Sequence, residues 1–174
     1  HYSGQINHVR QIKEFVEELT DIAEAMDWMV QPINDDEADP AFRGLIVNPK
    51  GECEPLCFIF DRAGRLRPLM DLLTETEEPH QYSFSTSTKT QYAAIETHVW
   101  IIGLLRYLKR CYIEDLEVSD EGEYWDDEDL DKLREKRQFL QNMISQMGAG
   151  LSEAEPLPKD ASLETIIERI ESIA

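Results

Sequence analysis

The chain has 174 residues, a length that suits one domain with an appendage. Folding at that size buries roughly 70% of the extended chain's surface, so neither a disulfide nor a metal is required for stability. The formal net charge is −19, from 36 Asp and Glu against 17 Lys and Arg. Such a field repels phosphate backbones and anionic lipid head groups. Nucleic acids and membrane surfaces are therefore excluded as expected partners, and basic proteins or divalent cations are favoured.

The first apolar stripe is the clearest element. Val9, Ile12, Val16, Leu19, Ala23, Met26 and Val30 recur at spacings of three and four, and Phe15, Ile22 and Met29 widen the stripe. This predicts one amphipathic helix lying on a core, ended by Gln31-Pro32 because the residue before Pro avoids the α region. The pattern lasts only about three heptads, which suits a core helix better than a coiled coil and leaves self-association into a homo-oligomer open. Asn34 to Pro40 is a polar, acidic loop.

The period then changes to two. Phe42 to Val47 reads as a strand, Asn48-Pro49-Lys50-Gly51 as a turn, and Leu56 to Phe60 as a central strand with Leu56, Phe58 and Phe60 on one face and Cys57 and Ile59 on the other. Asp61-Arg62-Ala63-Gly64 is a second turn, and Arg65 to Leu69 returns as a third strand ending at Pro68. Leu69 to Thr74 suits a short helical turn, and Tyr82 to Thr88 suits a fourth strand. Thr90 is placed to cap a long helix from about Gln91 to Tyr112, with Ile95, Val99, Ile102, Leu105 and Leu108 inward. Ile113 to Val118 makes a fifth strand.

From Glu114 to Asp131 there are eleven carboxylates in eighteen residues and no Lys or Arg; Lys132 to Arg137 then carries four positive charges. That switch matches a helix dipole, with Asp126 or Asp127 as the expected cap and Leu130, Leu133, Leu140, Ile144 and Met147 as the apolar face. Gly148 to Ala161 reads as a linker, and Ser162 opens a short amphipathic helix carrying Leu163, Ile166, Ile167, Ile170 and Ile173. The expected organisation is an α+β domain over 1–147, a linker over 148–161 and a C-terminal helix over 162–174. An antiparallel sheet of four or five strands packs against the N-terminal helix and the long middle helix.

The three cysteines, Cys53, Cys57 and Cys111, are odd in number and lack CxxC spacing. They suit a reducing cytosol, so a cytoplasmic location is expected. No apolar run approaches the ~20 residues of a membrane span, and no signal peptide is visible.

GxSxG, HExxH and GxGxxG are all absent, and no cofactor motif is recognisable. A twelve-residue calcium loop from Glu117 to Glu128 places Gly122 at its sixth position, but it begins with Glu where Asp is needed and carries Trp125 at a ligand position. No metal is expected. The favoured site is a protein-binding surface at Glu117, Asp120, Glu121, Glu123, Tyr124, Trp125 and Asp126, where two aromatics rimmed by carboxylates would anchor a basic partner. The bland reading of Trp125 is packing beneath the helix it precedes. The alternative function is a small enzyme or an anion-binding module. It uses Ser87, Thr88, Lys89 and Thr90 at a helix start, with His98 as a base oriented by Asp61 or Asp71. Residues of this kind serve equally as caps and core neighbours. The function expected from the sequence is thus a non-catalytic interaction protein.

Overall fold

Ile12, Phe15, Val16, Leu19 and Ala23 are the buried face of α1 (Ile12–Ala25), which continues a short 3-10 turn at Val9–Gln11. The helix stops five residues short of Val30. Asp27 takes a left-handed conformation (φ 56°), its N–H donates to Glu24 O (2.9 Å), and the Trp28 N–H donates to Ala23 O (2.8 Å). This is a Schellman ending with Asp in the position usually held by glycine. Met29 and Val30, expected on the helix, instead open β2 (Met29–Ile33).

The structure, a computed structural model, describes residues 1–34, 40–74 and 85–153. The chain divides into two units, His1–Glu128 and Asp129–Ala174. In the first unit the fold is α+β. β2, β3 (Phe42–Asn48), β4 (Leu56–Asp61) and β5 (Leu66–Arg67) form an antiparallel sheet in sequential order. Pro32 lies in the edge strand β2, where a missing N–H is tolerated. All six residues of β4 are buried. Leu56, Phe58 and Phe60 face a core shared with Phe15, Leu19, Leu45 and Val47, and Cys57 and Ile59 face a second cluster with Ile33 and Phe42. Gly44 (φ 138°) crosses β4 so closely that a Cβ there would stand 1.9 Å from Phe58 O.

The connection between β3 and β4 is Pro49–Pro55, and the turn expected at Asn48 to Gly51 falls at its start, where Gly51 takes a positive φ (90°). The Asp61-to-Gly64 turn forms as expected. Its Gly64 N–H donates to Asp61 O (2.8 Å), and Asp61 Oδ1 accepts from the Ala63 and Arg65 amides (2.9 and 3.0 Å). β5 leads through Pro68 into α2 (Leu69–Leu73). Arg67 lies buried between Asp61 and Asp71, at 3.3 and 2.7 Å.

The long middle helix, α3 (Ile95–Cys111), buries Ile101, Leu104, Leu105 and Leu108 against the larger core, and Ile102 is buried as well. It begins five residues after Thr90. Thr90 does not cap it: the Ala93 N–H closes a turn on Thr90 O (3.0 Å), and Ala94 stands at the N-cap position. Tyr107 and Tyr112 both donate to Glu18 of α1, and these two bonds hold the Glu18 carboxyl below its ordinary pKa. The expected fifth strand shrinks to β6 (Glu117–Val118), which pairs with β1 (Tyr2–Ser3) outside the main sheet. Of the expected strand at Tyr82 to Thr88, Tyr82 to Phe84 lie outside the described residues, and Thr86 forms an isolated bridge with Tyr2.

A four-residue helix, α4 (Tyr124–Asp127), ends the first unit between two left-handed residues, Glu123 (φ 61°) and Glu128 (φ 56°). In the second unit α5 (Leu130–Glu153) starts at Asp129. Asp129 Oδ1 accepts from the Asp131 and Lys132 amides, each at 3.0 Å, so Asp129 and not Asp126 or Asp127 is the cap. α5 continues through the first six residues of the stretch read as a linker. The remainder of that stretch and the amphipathic segment 162–174 lie outside the described residues.

Candidate functional site

The acidic segment is built around groups that point inward. Leu116 is buried in the main core, and Trp125 packs half-buried against it. Asp120 has a side chain only 6% exposed. Its Oδ2 lies 3.2 Å from His98 Nε2 and accepts from the Trp125 amide (3.1 Å), while Oδ1 accepts from the Gly122 amide (2.9 Å). Burial opposes the charge on Asp120, but His98 and these two amides together hold its carboxyl below the ordinary range. The Asp120 carboxylate therefore points inward and is engaged within the chain.

The nearby cations of α3 hold the backbone of this segment. Arg106 donates to Tyr124 O (3.2 Å) and Trp125 O (2.5 Å), lies over the Trp125 ring at 5.5 Å and pairs with Glu128 (2.5 Å). Lys109 Nζ donates to Leu116 O (2.5 Å). Outside this frame Glu114, Asp115, Glu117, Glu121, Asp126, Asp127 and Glu128 are exposed, and Glu123 and Tyr124 are half-buried. Of the residues predicted for a partner site, Glu117, Glu121 and Asp126 thus face solvent, while Asp120 and much of Trp125 belong to the support.

One feature beside the segment carried no local sequence signal. An open depression of about 450 Å³ is lined by Gln5, Ile6, Asn7, Glu114 and Asp115. Asp115 Oδ1 accepts from the Gln5 amide (2.8 Å), and the Glu114 amide donates to Asn7 Oδ1 (3.0 Å). Gln5, Asn7, Glu114 and Asp115 are exposed there, whereas Ile6 is buried, so the surface of the depression is mainly polar and acidic.

The alternative site assembles in part. His98 Nδ1 lies 2.8 Å from Thr90 Oγ1, so Thr90, His98 and Asp120 form one chain of contacts. The orienting carboxylate is Asp120; Asp61 and Asp71, named for that role from the sequence, pair with Arg65 and Arg67. Ser87 is exposed. Thr88 donates its hydroxyl to Pro55 O (3.0 Å), and the Lys89 ammonium sits 3.7 Å from Glu54, whose other oxygen accepts from the Lys89 amide (2.9 Å). The donors of this segment thus tie it to the β3–β4 connection, and the α3 amides begin a turn later.

No family model, curated protein or solved structure matches this chain. The functional reading therefore rests on the geometry alone. Among the described residues, no three His, Cys, Asp or Glu side chains converge as a metal site requires. The twelve-residue calcium loop is interrupted by β6 at its start and by α4 near its end. No helix among the described residues is long and apolar enough to cross a membrane.

Proposed function

We infer that the chain is a non-catalytic interaction protein whose segment Glu114 to Glu128 receives a basic protein partner. The observation that carries this reading is the division of labour within the segment. Leu116, Asp120 and Trp125 fix the backbone from inside, Arg106 and Lys109 grip its carbonyls, and a row of carboxylates faces outward. Charge held on an ordered frame loses less entropy on binding than charge on a loose tail, and it steers cationic partners over distance. The depression at Glu114 and Asp115 adds a place for one Lys or Arg side chain. A reducing cytosol as the working compartment is supported by Cys53, Cys57 and Cys111, which are all free thiols.

Two variants of equal charge test the reading. One reverses Glu114, Glu117, Glu121 and Asp126 to Lys; the other reverses Glu14, Glu17, Asp21 and Glu24 on the exposed side of α1. With an immobilised Lys- and Arg-rich peptide as probe, the first should weaken binding at least about tenfold and the second by no more than about threefold. Equal losses would mean that net charge alone attracts the probe, and no loss in the first would remove the site.

A further inference from the structure

α3 turns one side to the core, through Ile101, Leu104, Leu105 and Leu108, and a second to the acidic segment, through His98, Arg106 and Lys109. Its third side is open. Glu96, Trp100, Gly103, Tyr107 and Arg110 follow one another at spacings of four, three, four and three, so they share one stripe of the helix. Glu96, Gly103 and Arg110 are exposed, Trp100 is 56% exposed, and Tyr107 is half-buried with its hydroxyl donating to Glu18. Gly103 sits in the helix interior, where glycine is weaker than alanine. It does not take a positive φ, and a Cβ on it would meet nothing within 4 Å. Packing among the described residues therefore does not call for a glycine at this position.

We propose that this stripe pairs two copies of the chain, α3 against α3, antiparallel across a two-fold axis beside Gly103. The stripe is self-complementary about that residue. Glu96 lies seven residues before Gly103 and Arg110 seven after it, so each Glu96 meets the partner's Arg110. These two ion pairs stand about 21 Å apart along the helix and clamp both ends of the contact. Trp100, one turn before Gly103, falls beside the partner's Tyr107, one turn after it. The missing side chain at the centre lets the helix axes approach closely enough for the aromatics to pack. A parallel pair would set Glu96 on Glu96 and Arg110 on Arg110, and it would align the two helix dipoles unfavourably. A basic partner of the kind drawn to the acidic segment would meet Arg110 here, so the charges of this face favour a second copy. The net charge of −19 on each copy opposes association, but at physiological salt it is screened beyond about 8 Å. A contact of this size gives a concentration-dependent dimer and not an obligate one. It stands independently of the partner surface at Glu114 to Glu128.

The test is sedimentation equilibrium of the full-length chain at physiological salt, which should show a monomer–dimer equilibrium. E96R and R110E should each weaken dimerisation at least about tenfold, because like charges then face each other. An equimolar mixture of the two variants should pair within about threefold of the unmodified chain, since every contact between positions 96 and 110 is again opposite in sign. G103L should abolish the dimer while the thermal unfolding midpoint holds or rises, because leucine favours the helix that glycine weakens. A chain that stays monomeric up to about 1 mM would overturn the proposal. So would a dimer that E96R, R110E and G103L leave intact, or a mixture of the two charge variants that fails to pair while each is folded and monomeric alone.

Discussion

At the residue scale the decisive contact is His98 to Asp120. It joins α3 to the acidic segment across 22 positions of sequence, and neither residue advertises the other. Asp120 sits among nine other acidic residues within ten positions on either side and looks interchangeable with them; only the fold makes it the inward one. Asp120→Ala would strand two amides and one imidazole nitrogen in a largely buried site, and should cost roughly 2–4 kcal/mol in chemical denaturation. The same contact sets a pH dependence. The Asp120 carboxyl titrates below its ordinary value of 3.8 in the folded state. Its contribution is therefore fully present above that value, and it is lost as the pH falls from there through the lower folded-state pKa. Acid titration of Asp120→Asn against the unmodified protein should show the stability difference shrinking in that interval. A difference constant down to complete acid unfolding would contradict the assignment.

At the element scale the sheet was legible because two strands are buried on both faces. The split of Leu56, Phe58 and Phe60 from Cys57 and Ile59, read from a period of two, is the split between the two cores. The end of α1 was not legible. Met29 and Val30 continue the helical spacing, and the stop is a left-handed Asp27 rather than a Gly, so periodicity overran a boundary set by backbone conformation. Thr90 misled in the opposite sense: a good capping residue is engaged with His98 instead. Gly44 leaves no room for a side chain between β3 and the Phe58 carbonyl of β4. A methyl group there would displace a central pair of strands, and the positive φ adds strain. Gly44→Ala is expected to lower stability by more than about 2 kcal/mol, read from the denaturant midpoint at unchanged m-value. A change below about 0.5 kcal/mol would mean that the strands are farther apart than described.

At the scale of the whole molecule, charge was the most informative property of the sequence, and the fold turns it into a place. The sequence located the acidic run but mixed its supports with its surface, because burial of Asp120 and Trp125 depends on α3. It also missed the depression at Gln5 to Asn7, which β1 and β6 bring beside Glu114 and Asp115. The measurement that bears most directly on the partner surface is residue-resolved. Backbone amide shifts are followed by NMR while a Lys- and Arg-rich peptide is added, at low and at physiological salt. Shifts should concentrate at Gln5 to Asn7 and Glu114 to Asp127, with affinity falling as salt rises. Shifts spread evenly over α1, the sheet edge and this segment, or none at all, would contradict a preformed site for a basic partner.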